Sequence, residues 1–142
     1  LKLGIIYGTK RKKATVEVIE WLMEACKKSG IEVEVGKPEE VSDLDHDAFV
    51  VGSSIYAGQA QSDLLEFVEQ NRETLTSKPV ATFVVCKEVE CPEDNMAQIL
   101  ERLGSEPISQ LFVEGYMIRR GNFDRQRVKV EDWVKDLISK LS

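Results

Sequence analysis

Two kinds of apolar pattern take turns along this chain. Short, nearly unbroken hydrophobic runs occur at Lys2–Tyr7 (KLGIIY), Asp47–Gly52 (DAFVVG) and Pro79–Cys86 (PVATFVVC), and two further strand candidates lie at Ile31–Val35 (IEVEV) and Ile108–Ile118 (ISQLFVEGYMI). Continuous runs of this kind suit strands that are covered on both faces. Between them the apolar residues recur with helical period. Val16, Ile19, Leu22, Met23 and Cys26 form one stripe, followed by Lys27 and Lys28 and then Gly30, which is the order expected of a helix end. Leu64, Leu65, Val68 and Leu75 mark a second helix with Ser62 placed to cap it, and Met96, Ile99, Leu100 and Leu103 mark a third that opens with Pro92 and closes at Gly104. Val130, Trp133, Val134, Leu137, Ile138 and Leu141 give the most regular stripe of all.

Strands alternating with helices predict an α/β domain, a three-layer doubly wound arrangement of five parallel strands with helices on both faces. The segment GKPEEVSDLDH between the second and third strands has room for only a turn or two of helix. No linker, repeat or low-complexity tract interrupts the pattern, so residues 1–142 are expected to form a single domain. In a doubly wound sheet the ligand lies beyond the carboxyl ends of the strands, where the winding reverses. That rule selects the loops Gly8–Thr15, Ser53–Ala60, Lys87–Pro92 and Arg119–Asp124.

Charge changes the picture at the first of these loops. The chain of 142 residues carries a formal net charge of −6, yet Lys10, Arg11, Lys12 and Lys13 are consecutive cations at a helix start. A helix N-terminus already carries partial positive charge, so cations are disfavoured there unless an anion or solvent compensates them. Backbone N–H groups at Ala14 and the hydroxyls of Thr9 and Thr15 can converge with these cations on one phosphate; the alternative is that the four long side chains fan into water. The acidic remainder argues against bulk nucleic-acid binding. No run reaches the length of a membrane span and the start lacks the features of a signal peptide, so a soluble, cytoplasmic protein is expected. Cys26, Cys86 and Cys91 stand at no disulfide-framework or zinc spacing, which suggests a reducing compartment.

The remaining motifs narrow the chemistry. Gly8 opens neither a dinucleotide-binding turn nor a Walker loop, and the clustered acids of a phosphorylation receiver are absent after the first and third strands. The second loop, GSSIYAGQAQSDLLEF, places Tyr56 between small residues, with Ala57-Gly58 free to take conformations other residues resist. A ring held in this way is suited to stacking on a flat heterocycle, or alternatively caps the edge of the core. Cys86 and Cys91 flank the third loop and invite a redox reading as a thiol pair; without the spacing of a dithiol catalyst, packing as small apolar fillers is the default. His46 has no metal-ligand array around it in sequence and is expected in a loop. Trp21 and Trp133 belong to helix packing. Arg119, Arg120, Arg125, Arg127 and Lys129 form a second basic cluster, for which surface solvation is the default.

The sequence IIYGT, a first loop ending in Thr15, and then DAFVVGSSIYAGQAQSDLLEFVEQNRETLTSKPVATFVV together resemble the flavodoxin-like family over nearly the whole chain, in particular its short flavodoxin-domain members. The resemblance implies strand order 2-1-3-4-5, FMN as cofactor and an electron-transfer role. It places the phosphate in the first loop, at Thr9, Lys10, Arg11, Lys12, Lys13, Ala14 and Thr15. It places the isoalloxazine ring against Tyr56, with contacts from Ser53, Ser54, Ile55, Ala57 and Gly58 and from Lys87 and Glu88 of the third loop. The first loop departs from the family's Ser/Thr-x-Thr-Gly-x-Thr pattern: it is one residue longer, has no glycine, and carries cations in place of neutral donors. Acidic residues Glu88, Glu90, Glu93 and Asp94 beside a flavin would lower its potential by like-charge repulsion. The segment GNFDRQRVK also resembles the C-terminal region of flavodoxin-like protoporphyrinogen oxidases, without the longer insertion those enzymes carry. Two alternatives therefore stand beside the carrier: a flavin oxidoreductase acting on a porphyrinogen or quinone, and a cofactor-free module whose basic first loop docks an acidic partner or nucleic acid. For the carrier, the expected partner is a redox protein docking on an acidic surface.

Overall fold

Residues 1–10, 14–86, 92–115 and 123–142 are described by the computed structural model. Among these residues six strands form one sheet: β1 (Lys2–Gly8), β2 (Glu32–Gly36), β3 (Ala48–Tyr56), β4 (Gln59–Ala60), β5 (Val80–Cys86) and β6 (Ser109–Glu114). Their order is β2-β1-β3-β5-β6, all parallel, and β4 folds back antiparallel on the end of β3. With β4 set aside, this is the expected order 2-1-3-4-5.

The period-2 alternation of each strand sorts its side chains between two cores. Leu3, Ile5, Ala48, Val50, Ala81, Phe83 and Val85 face one side, where α1 (Ala14–Lys28) and the last helix, Phe123–Leu141, pack upon them. Ile6, Phe49, Val51, Val80, Val84 and Cys86 face the other, under α2 (Ser62–Gln70), α3 (Arg72–Thr76) and α4 (Glu93–Leu103). We label Phe123–Leu141 α5. The apolar stripes read from sequence are these buried faces. Over β2, the crossover to β3 supplies only a 3-10 turn, Pro38–Glu40.

Several local expectations shift. β3 runs to Tyr56 rather than stopping at Gly52, so the small residues Gly52, Ser53 and Ser54 lie within the strand. β6 begins at Ser109 and ends at Glu114, and the rest of the expected run, from residue 116 to Ile118, lies outside the described residues. The second helix divides at Asn71, whose N–H donates to Phe67 O at 3.0 Å. Ser62 does not cap it: Gln61 is the N-cap, and its own side chain makes no capping hydrogen bond. Pro92 and Gly104 bound α4 as expected, Gly104 in the left-handed region at φ 72°. His46 is a loop residue, but buried, with Nε2 3.4 Å from Glu34 Oε2. Cys86 is disulfide-bonded while Cys26 is a free, buried thiol, a bond for which the cysteine spacing carried no signal.

Candidate functional site

Because the long strands are parallel, β1, β3 and β5 end on one edge of the sheet, at Gly8, Tyr56 and Cys86. The winding reverses between β1 and β3: α1 leaves β1 for one face, and α2 leaves β3 for the other. The floor of this edge is close-packed. A Cβ added at Gly8 would lie 2.8 Å from Leu64 Cβ, so the end of β1 rests directly on the first turn of α2.

From the first loop, Thr15 is buried in the opening turn of α1, Ala14 and Thr9 are half-buried, and Lys10 is exposed. From the second, Tyr56 is 37% exposed at the strand end, and Ala57 and Gly58 are exposed. The two loops meet where Lys10 Nζ lies over the Tyr56 ring, 5.4 Å from its centroid. That contact is a cation–π pair of modest strength at an exposed site, about 0.5–1 kcal/mol. An aromatic ligand can displace a contact of this size at small cost.

Tyr56 and Gln59 are register partners, so Ala57-Gly58 forms a two-residue hairpin loop, with φ of 51° and 75°. Positive φ at both central positions belongs to the turn whose twist matches paired strands. Glycine takes this conformation freely, whereas Ala57 takes it under strain. The strain is held by neighbours. Ser53 Oγ, fully buried, donates to Ser54 O at 2.8 Å and accepts from Gln61 N at 2.9 Å, tying β3 to the start of α2. Gln98 of α4 donates from Nε2 to Gly58 O at 2.8 Å and accepts at Oε1 from Ala60 N at 2.9 Å.

The residues singled out in the sequence therefore divide. Thr9, Lys10, Ala14, Thr15, Tyr56, Ala57 and Gly58 lie around this edge. Ser53 and Ile55 are buried: the Ser53 hydroxyl is already bonded within the protein, and the Ile55 side chain belongs to the core, which leaves only their backbone for a ligand. Arg11, Lys12, Lys13, Lys87, Glu88, Glu90 and Cys91, and Arg119 and Arg120 of the second basic cluster, lie outside the described residues. Gln98 was missed. It sits among the polar positions of an amphipathic helix, and only the fold brings it against a loop forty residues away.

Among the described residues no group of three or more His, Cys, Asp or Glu side chains is placed to hold a metal, and no helix is long and apolar enough to cross a membrane. A cation, hydroxyls and a helix start beside an exposed ring make a donor set suited to a ligand with an anionic end and a flat aromatic end.

Comparison with known proteins agrees with the fold. A family model described as Flavodoxin domain matches residues 5–136. No curated protein matches the chain. Among solved structures, flavodoxin 1 from Bacillus cereus superposes with a TM-score of 0.71 at 17% identity, covering 100% of both chains. A Fusobacterium nucleatum flavodoxin bound to flavin mononucleotide gives 0.72 at 13% identity, covering 99% of each. The rubredoxin oxygen:oxidoreductase of Desulfovibrio gigas gives 0.61 at 15% identity over 99% of this chain but 37% of its own, so this chain spans little more than a third of that protein.

Proposed function

Because this chain belongs to the flavodoxin-domain family, we propose that it binds FMN at the carboxyl ends of β1, β3 and β5 and serves as an electron-transfer protein. The observation that carries the reading is the meeting of a cation and an exposed ring, from two separate loops, on that edge. When bound, FMN supplies one- and two-electron redox chemistry, and the protein supplies binding, orientation and electrostatics.

Each residue then has a bounded task. Thr9, Lys10 and Thr15, with the N–H groups that open α1, hold the phosphate; Arg11, Lys12, Lys13 and Ala14 complete that loop. Tyr56 covers the ring and keeps water from one of its faces, while the backbone of Ser54, Ile55, Ala57 and Gly58 lines its edge. Lys87 and Glu88 belong to the segment that follows β5 in sequence. None of these residues needs to exchange a proton with a substrate. A formal net charge of −6 opposes adding negative charge to the ring, which lowers its potential, and steers a partner protein of positive surface toward the molecule.

Titration of the purified protein with FMN tests the reading. Saturable quenching of flavin fluorescence at one FMN per chain is expected, with a rise in melting temperature. Tyr56→Ala should weaken binding about tenfold, the worth of one good aromatic contact. No quenching and no thermal shift at saturating FMN would overturn it.

A further inference from the structure

We propose that Gln98, a side chain of α4 outside every loop expected to touch a ligand, is a positioning residue for the Tyr56 turn. It acts as a single residue of added strand along the open edge of β4. The inference rests on the FMN reading for its functional consequence, but its structural half stands without it.

The geometry points to this role. β4 is two residues long, and among the described residues its one strand partner is β3. So short a hairpin is marginal without a further neighbour. Gly58 O, in the turn, and Ala60 N, in β4, flank Gln59 and both meet Gln98, so the side chain spans the join of turn and strand. A carboxamide carries a C=O acceptor and an NH2 group with two donors, so one end of the side chain can match the N–H and C=O that a single residue of a neighbouring strand presents on one side. At 2.8 and 2.9 Å both bonds are well formed. Gln98 therefore reproduces what the next strand of a sheet would do.

The anchor behind it is rigid. Met96 and Ile99, on either side of Gln98 in sequence, are buried in the core, and Asn95 Nδ2 reaches Cys86 Sγ at 3.5 Å at the end of β5. Through Gln98 the core holds an exposed turn that contains a strained alanine. If that restraint is absent, Ala57 relaxes toward negative φ and the ring of Tyr56 loses its fixed direction. A ligand stacking on the ring must then supply the ordering itself, which appears as lost affinity.

Two variants and two readouts test this. In the apo protein, amide exchange at Ala60 should accelerate about tenfold or more in Gln98→Ala, with core amides such as those of Val50 and Val84 unchanged. FMN affinity should fall roughly three- to tenfold, the worth of one or two neutral hydrogen bonds, with little change in melting temperature. Gln98→Glu separates the two bonds. Its carboxylate still accepts from Ala60 N, so protection there persists, but it has no proton for Gly58 O, so affinity and the visible circular dichroism of the bound flavin should still change. If wild-type protein binds no FMN, the functional reading fails, while faster Ala60 exchange in Gln98→Ala still upholds the clamp. Unchanged Ala60 exchange in Gln98→Ala overturns the proposal. So does faster exchange with FMN affinity and flavin dichroism both as in wild type.

Discussion

Gly52 shows how a single residue was legible in kind but not in place. Its smallness, with that of Ser53 and Ser54, reads from sequence as the end of a strand. In the structure it lies inside β3, directly across from Phe83 of β5. A Cβ added there would stand 2.2 Å from two ring carbons of Phe83, so the glycine leaves the space that a fully buried phenylalanine fills. Strand order decides this pairing, and no local pattern contains it. Gly52→Ala should therefore destabilise the protein by roughly 1–3 kcal/mol through overpacking, since Phe83 is enclosed on all sides. Urea denaturation measures this as a lower midpoint with unchanged slope. A midpoint within error of wild type would mean the ring finds another rotamer. Ser53 teaches a related lesson: its hydroxyl, expected near a ligand, instead accepts from Gln61 N and so joins β3 to the start of α2, because buried polar groups pair with the partners the fold provides.

At the scale of elements, the helices with unbroken stripes were placed well, since the stripe is the face that is buried. The failures lie where no breaker residue marks a boundary. QNRETLTS contains neither Gly nor Pro, so the stop at Asn71 is invisible until α3 turns to bury Leu75. The N-cap of α2 sits at Gln61 rather than Ser62 because Gln61 N is held by Ser53 across the sheet. α5 was the clearest element in the sequence, and its seating depends on polar contacts that periodicity does not reveal. Trp133 is nine-tenths buried in the core that α5 shares with α1, and its Nε1 donates to Ser109 Oγ at the start of β6, at 2.8 Å. Lys140 Nζ reaches Ile108 O at 3.2 Å beside it. Ser109→Ala removes the acceptor and leaves the indole N–H with no protein partner. The expected cost is about 1 kcal/mol, since a partly buried donor recovers some bonding from water. Equilibrium unfolding followed by Trp fluorescence measures it, and a variant as stable as wild type would show that the hydrogen bond contributes nothing net.

For the whole molecule, the layered order was legible because alternating strands and helices admit few arrangements, whereas the balance of charge against burial emerges only once the chain is folded. That balance makes alkali the vulnerable side. Burial pushes the Cys26 thiol from 9.0 up to about 11. Burial, followed by the charges of Glu40 and Glu39, raises Tyr7 above 10.0, and the hydrogen bond to Glu34 raises Lys2 above 10.5. All three groups have folded values above their unfolded ones, so each contributes stability that is complete below its unfolded value and is lost as pH rises through its folded value. Cys26 begins first: above about pH 9 the unfolded chain releases the thiol proton while the native state still holds it. Every proton lost also adds negative charge to a body already at −6, so self-repulsion acts in the same direction. On the acid side Glu34 has the opposite sense. Its hydrogen bond to Lys2 holds its carboxyl below 4.5, so the stability it contributes is present above that value and fades as pH falls through the lowered one. Melting temperature should therefore stay level through neutrality and fall between pH 9 and 11. Cys26→Ala should flatten the part of that fall beginning near pH 9 while leaving the steeper loss above pH 10, where Tyr7 and Lys2 act. Thermal melts of both proteins across this range decide the matter by slope rather than level, because the substitution also removes a packed sulfur. Parallel curves would mean that the buried thiol takes no part in the alkaline transition.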